Sequence, residues 1–206
     1  MIVTGLTEVS KSRYKVYIDH EFAFVLYKGE LRSYKLAEGQ EIDESSYEEI
    51  MRTILPKRAK LRAMNLLQKR QYTEKQLMDK LKEGFYPEEV INEAVCYVKS
   101  FRYLDDLQFA VDYITYHEAS KSGRRITCDL LQKGIAGETI KKAFEEWQAL
   151  GGSQDEMEMI RKLLEKKHYR HDCEPKEKHR IYAFLLRKGF SMENVNKVLG
   201  GFDSFA

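Results

Sequence analysis

A short pattern of leucine, two polar residues, glycine and an apolar residue occurs three times in the chain. Its fixed positions are Leu81 and Gly84, Leu131 and Gly134, and Leu186 and Gly189, so that the glycines are spaced 50 and then 55 positions apart. Apolar residues spaced four apart follow each glycine. Because helices often end at a left-handed residue, which glycine adopts without strain, each copy predicts a helix, a turn at glycine and a second helix.

A further amphipathic segment precedes each copy, at about 57–69, 106–119 and 154–167, so each unit contains three helices. Only 3 prolines and 12 glycines interrupt the chain, which favours helices over short strands. A three-helix unit buries little apolar surface alone, so neighbouring units are expected to pack together. The sequence therefore predicts a mainly α fold of tandem three-helix repeats (57–104, 105–150 and 151–206) that form an elongated, curved body.

The first 56 residues form a different kind of segment, a small β-containing head. Apolar and polar residues alternate over 14–18, and a second β-rich run covers 22–26, which together predict an antiparallel hairpin. Residues 2–6 and 31–36 are candidates for further short strands. Asp43 or Ser45 is suited to cap a helix that we expect to end at Pro56, because proline disfavours the helical conformation of the preceding residue.

Composition excludes several classes of protein. No apolar run approaches the length of about 18 residues needed to span a bilayer, and the first residues lack a signal-peptide pattern, so we expect a cytoplasmic protein. The three cysteines are odd in number and far apart, which is typical of reduced thiols. The formal net charge is only +2, which argues against a protein that simply coats a polyanion.

No catalytic or cofactor motif is found in the sequence. There is no glycine-rich phosphate loop, nucleophile elbow or zinc-protease motif, so we predict a protein without catalytic residues, a metal or a cofactor. The segment with His168, His171 and Cys173 matches no common zinc spacing and is interpreted as a solvated loop. Asp105, with Gln108 three residues later, is interpreted as a helix cap and not as half of a catalytic carboxylate pair.

Basic residues are concentrated in the first predicted repeat, where 57–104 holds 11 basic and 6 acidic residues. Two interpretations stay open for them: contact with phosphates or with an acidic protein face, or coverage of a solvated helix surface. Sequence-specific reading of the major groove is disfavoured, because the helix that follows Gly84, at 87–100, carries three glutamates and only one lysine. The candidate binding residues are Lys57, Arg58, Arg62, Arg70, Arg124, Arg125, Lys166 and Lys167.

Three segments occur in a fixed order within residues 59–147. They are LLQKRQYTEKQLMDKLKEG at 66–84, YLDDLQFA at 103–110 and GRRITCDLLQKGI at 123–135. Each segment alone is an ordinary pattern of helix starts and ends, but the order and spacing of the three segments together resemble the RecX family of bacterial regulatory proteins. The third unit and the β-containing head resemble the family more loosely.

The resemblance implies a modulator of the RecA recombinase that lies along the RecA filament on single-stranded DNA and inhibits its ATPase and strand exchange. It implies no catalytic residues. An elongated molecule that fills a groove has no need to dimerise, so we expect a monomer, although the sequence itself does not decide the oligomeric state. Two other functions stay open: a stand-alone, non-sequence-specific DNA-binding protein, and a helical-repeat scaffold for another protein. The sequence does not decide between inhibition and stimulation, or which face meets the filament.

Overall fold

The computed structural model describes residues 1–170 and 173–200 of the chain. It begins with an antiparallel sheet of β1 (Val3–Ser10), β2 (Arg13–Ile18) and β3 (Glu21–Tyr27), in the order β1-β2-β3. Asp19 and His20, between β2 and β3, have φ values of 49° and 72°. Two successive positive φ values are typical of the type I′ turn, whose twist suits a hairpin. The predicted hairpin and the additional strand near residues 2–6 are confirmed.

A helix, and not a strand, follows the sheet. α1 (Lys28–Ser33) begins directly after β3, so the prediction of a strand at 31–36 is wrong. The side chain of Glu30 accepts a hydrogen bond of 2.7 Å from the backbone N–H of Tyr27 and so satisfies an open donor at the helix start. Leu31 and Leu36 are both buried, one in the helix and one in the loop after it.

The helical path continues through Pro56. α2 (Glu44–Glu49), capped by the Asp43 side chain, leads into a π-helical segment (Ile50–Ile54) and then α3 (Leu55–Leu67). The backbone N–H of Leu55 bonds to the carbonyl of Ile50, five residues back, which widens the turn. Pro56 lies in the first turn of α3, where its missing N–H and fixed φ are tolerated. The prediction that the helix ends at Pro56 is therefore wrong.

The remaining regular elements of the described residues are all helices. They are α4 (Glu74–Lys82), α5 (Glu88–Ser100), α6 (Asp106–His117), α7 (Gly123–Gln132), α8 (Gly137–Ala149), α9 (Glu156–Lys166), α10 (Pro175–Arg187) and α11 (Met192–Leu199). In sequence order, α3–α5, α6–α8 and α9–α11 form three successive sets of three. The predicted fold class, mainly helical with a small N-terminal sheet, is confirmed.

In the structure, the first repeated turn is shifted by one residue, relative to the two later turns, from the alignment that the sequence predicts. Equivalent backbone hydrogen bonds join the N–H of Tyr86 to Leu81, of Ile135 to Leu130, and of Phe190 to Leu185. The left-handed residue of each turn is Phe85 (φ 63°), Gly134 (φ 88°) or Gly189 (φ 87°). Leu81 thus corresponds to the buried residues Leu130 and Leu185, and not to Leu131 and Leu186.

Gly84 has a different role from the two later glycines, because Phe85 occupies the left-handed position of the first turn. A Cβ atom at residue 84 would lie 2.9 Å from Cε2 of Tyr86 and 3.0 Å from the carbonyl oxygen of Leu81. Glycine is therefore required there by lack of space, so that the Tyr86 ring can pack against the turn. The prediction of a left-handed Gly84 is wrong.

The chain divides into two compact units, Met1–Asp105 and the residues from Asp106 onward. In the first unit, the sheet and helices α3, α4 and α5 share one apolar core that includes Phe24, Ala59, Leu77 and Ile91. The second unit contains two buried clusters, one within α6–α8 and one within α9–α11. Among the described residues, no helix combines the length and apolarity that a membrane crossing needs.

Candidate nucleic-acid interface

A cleft of about 310 Å³ lies in the first unit, between the sheet and helix α3 on one side and the turn after α4 on the other. Basic and aromatic side chains dominate its walls. They include Arg13 of β2, Tyr27 of β3, Arg58 and Arg62 of α3, Lys80 of α4 and Tyr86 of the turn. We refer to this site as the basic cleft.

Arg58 is fixed in the wall of the basic cleft by three contacts. Its guanidinium forms a salt bridge with Glu30 and donates a hydrogen bond of 3.1 Å to the carbonyl of Val25. The guanidinium also lies 4.6 Å from the centre of the Tyr27 ring. With only 17% of its side chain exposed, Arg58 joins α3 to the sheet and holds one face of Tyr27.

Arg13 closes the opposite side of the basic cleft. Its guanidinium donates a hydrogen bond of 2.9 Å to the carbonyl oxygen of Gly84, in the turn after α4. A guanidinium has five N–H donors, so this bond leaves several of them for a ligand. Arg13 therefore positions the turn relative to the sheet while keeping its positive charge in the cleft.

Tyr86 and Arg62 line the cleft without a partner of their own. In the described part of the chain, neither the Tyr86 hydroxyl nor the Arg62 guanidinium has a hydrogen bond or ion pair. Burial raises the pKa of the Tyr86 hydroxyl above its usual value. The positive charges of Arg58, Arg13 and Arg62 lower the same pKa, because all three guanidinium groups lie near this hydroxyl.

The cleft keeps a surplus of positive charge after its internal ion pairs are considered. Glu83 pairs with Lys80 at 2.7 Å, and Glu30 pairs with Arg58. Arg13 and Arg62 have no acidic partner among the described residues. Two uncompensated guanidinium groups beside a neutral hydroxyl favour the binding of an anion.

The remaining basic residues of α3 and its C-terminal loop lie outside the cleft. Lys57 is exposed on α3. Arg70 is exposed after the end of α3, where its guanidinium lies 4.2 Å from the centre of the Tyr72 ring. Of the four predicted binding residues between 57 and 70, the structure brings only Arg58 and Arg62 together in this site.

In the second unit, Arg125 belongs to an internal network. It pairs at 2.9 Å with Asp129, whose other oxygen accepts hydrogen bonds from Lys121 (2.8 Å) and the Tyr113 hydroxyl (3.1 Å). Burial alone would raise the pKa of Asp129, but the hydrogen bond and charge of Lys121 outweigh it and hold the pKa below its usual value. Arg124, by contrast, is exposed on α7.

The other predicted features of the second unit are near the end of α9. Lys166 and Lys167 are exposed, and the ammonium of Lys167 lies 5.1 Å from the centre of the Phe184 ring. Asp105 directly precedes α6, and its predicted capping role remains a prediction. His171 lies outside the described residues, and within those residues no group of three or more metal-ligating side chains is found.

Sequence reasoning missed most residues of the basic cleft, among them Arg13, Tyr27, Lys80 and Tyr86. Arg13 and Gly84, which the structure joins by a hydrogen bond, are 71 residues apart. No periodic pattern connects a strand of the head with the turn of the first repeat. Gly84 is the one residue of this turn that the sequence pattern singles out, but the pattern assigns it to the end of a helix. The structure shows that it is instead packed closely against its neighbours.

Comparison with protein families identifies two matching segments. Residues 59–97 match the model described as "RecX, first three-helix domain", and residues 154–199 match "RecX, third three-helix domain". The first match contains α4 and most of α3 and α5, and therefore the helical side of the basic cleft except Arg58. The second contains α9, α10 and α11.

Whole-chain comparisons agree with these matches. The regulatory protein RecX of Caldanaerobacter subterraneus subsp. tengcongensis is 35% identical over 201 residues, 97% of this chain and 98% of that protein. The RecX of Bacillus velezensis is 30% identical over 91% of this chain and 71% of that protein. A crystal structure titled regulatory protein RecX, 25% identical, has a TM-score of 0.59 and covers 97% of this chain and 98% of its own. Identity at this level along nearly the whole chain shows that the protein belongs to the RecX family of regulatory proteins.

Proposed function

We propose that the protein binds the RecA recombinase filament on single-stranded DNA and modulates it, with inhibition of ATPase and strand exchange as the expected direction. The main support is the 35% identity with a regulatory protein RecX over 97% of this chain. A regulatory protein acts on a partner, and the RecA filament is the partner that the family resemblance implies.

In this proposal the protein is a binding protein, without a catalytic centre or a cofactor, that acts as a cytoplasmic monomer. The head (1–56) and three repeats (57–104, 105–150 and 151–206) contribute separate contacts. The exposed members of the predicted basic set are available for such contacts: Lys57, Arg62, Arg70, Arg124, Arg125, Lys166 and Lys167. Arg125 is exposed although it pairs with Asp129, whereas Arg58 is largely buried in its ion pair with Glu30.

The test is the ATPase activity of RecA on single-stranded DNA at fixed filament concentration, with this protein titrated in. We expect inhibition at amounts well below the RecA concentration. A variant in which Arg62, Arg70 and Arg124 are replaced by glutamine should inhibit less, because each removes an exposed cation without breaking an ion pair within the described residues. An ATPase rate that does not respond to the wild-type protein would contradict the proposal.

A stand-alone DNA-binding protein is the second candidate function, supported by the uncompensated arginines of the basic cleft. It predicts tight binding to bare single-stranded DNA that weakens steeply with salt, together with no effect on RecA. Measuring both quantities on the same preparation separates the two functions.

A further inference from the structure

We infer that the basic cleft binds a backbone phosphate of single-stranded nucleic acid, with Arg62 and Tyr86 as the contacting side chains. This inference deepens the proposed function and rests on it for its biological setting, because the filament carries single-stranded DNA. The cleft itself is defined by residues of the first unit alone.

The argument for an anion comes from the side chains that have no partner. Arg62 presents a guanidinium without an ion pair in the described chain, and Tyr86 presents a hydroxyl without a hydrogen bond there. Both line a cleft of about 310 Å³, at the lower end of the range for ligand sites. A phosphate oxygen can accept hydrogen bonds from a guanidinium and a hydroxyl at once.

The cleft is organised before any ligand arrives. Arg13 is held by the Gly84 carbonyl at 2.9 Å, and Arg58 is held by Glu30 and the Val25 carbonyl. Binding therefore requires little ordering of these two side chains, which lowers the entropic cost of association. Arg13 and Arg58 are positioning residues in this arrangement: they fix the two walls and keep positive charge near the ligand.

Aromatic rings around the cleft favour single-stranded nucleic acid over an acidic peptide. Tyr27 is 42% exposed and has Arg58 on one face, and Phe85 lines the cleft. Phe22, also 42% exposed, lies 6.4 Å from Phe85 between ring centres, and the Lys15 ammonium lies 4.2 Å from the Phe85 ring centre. A row of rings and cations next to a phosphate site is typical of surfaces that stack unpaired bases, whereas an acidic peptide needs only the cations.

The inference is tested by fluorescence anisotropy with a labelled thymidine oligonucleotide and the full-length protein. We expect Arg62→Gln to weaken binding on the order of tenfold and to reduce the slope of log affinity against log salt by about one. Lys75→Gln is the matched control, since it removes one exposed cation of the first unit, on α4, that lies outside the cleft and outside the predicted binding set. It should leave both quantities close to those of the wild type.

Two further variants separate the contributions of the hydroxyl and the rings. Tyr86→Phe should weaken binding without changing the salt slope, because it removes a neutral donor. Tyr27→Leu should also weaken binding with an unchanged slope, by removing a stacking surface. Circular dichroism and thermal unfolding identify any variant that is misfolded, and Arg62→Gln, at an exposed position, is expected to fold normally.

The inference is overturned if Arg62→Gln and Lys75→Gln have the same affinity and salt slope. It is also overturned if Arg62→Gln weakens the binding of a polyglutamate peptide while leaving oligonucleotide binding intact. RecA ATPase measured with the same variants separates this result from the proposed function. Inhibition by the wild-type protein with no role for Arg62 in DNA binding refutes the inference alone, and cleft-dependent DNA binding without any effect on RecA refutes the proposed function alone.

Discussion

Replacing Gly189 by alanine should destabilise the second unit through two additive effects. Gly189 has a φ of 87°, which costs an alanine about 1–2 kcal/mol. A Cβ atom there would also lie 2.5 Å from Oγ of Ser122 and 2.6 Å from Cβ of Arg125. Ser122 is buried and caps α7, so it cannot move aside freely, and overpacking adds about 1–3 kcal/mol. The expected loss is therefore about 2–5 kcal/mol.

Gly151→Ala is the matched control for this prediction. Gly151 has nearly the same φ, 91°, but no atom lies within 4 Å of the position its Cβ would take. It should lose only the conformational part, about 1–2 kcal/mol. Urea unfolding followed by circular dichroism measures both free energies. Equal destabilisation of the two variants would refute the claim that Gly189 is required by its contact with the start of α7.

Two other substitutions test buried polar contacts. Asp129→Asn should lower the free energy of unfolding by about 1–3 kcal/mol at neutral pH, since Lys121 and Arg125 lose their carboxylate. Folding lowers the pKa of Asp129, so the difference in unfolding free energy between wild type and variant should have its full size above about pH 4. It should disappear as the pH falls through the lowered pKa, and a difference that does not depend on pH would contradict this role. Thr73→Ala should cost about 1 kcal/mol in urea unfolding, because the Thr73 side chain caps α4 by accepting a hydrogen bond of 3.2 Å from the backbone N–H of Gln76, and an unchanged midpoint would refute that role.

Local sequence signals predicted the helices and the hairpin because their causes are local. Alternation along 14–18 and the turn at Asp19 and His20 depend on neighbouring residues only, and the structure confirms the hairpin. The same holds for the Thr73 cap, where Gln76 completes a capping box. Periodicity and capping were therefore sufficient for the fold class.

The errors arose where packing overrides a local rule. Phe85, and not the adjacent Gly84, takes the left-handed conformation, and residue 84 is crowded by the Tyr86 ring and the Leu81 carbonyl. The helical path continues through Pro56, which lies in the first turn of α3 directly after the π-helical segment. The spacing of apolar residues predicts neither the packing around Gly84 nor the continuation of the helix through Pro56.

The candidate site was predictable only in part. Arg62 was identified by the concentration of basic residues, but charge alone did not distinguish it from Arg58, which the structure holds in an ion pair with Glu30. That distinction depends on a contact between residues 28 positions apart. The aromatic members of the cleft carry no sequence signal of their own, because tyrosine is common in cores and on surfaces alike.

The continuous helical path from α2 through the π segment into α3 has a practical consequence for dividing the protein into fragments. A fragment that begins at Lys57 would discard the sheet, and with it Phe24, whose buried side chain shares a core with Ala59. A cut between Asp105 and Asp106 keeps that core intact, so a fragment that contains the first repeat should also carry the whole N-terminal sheet.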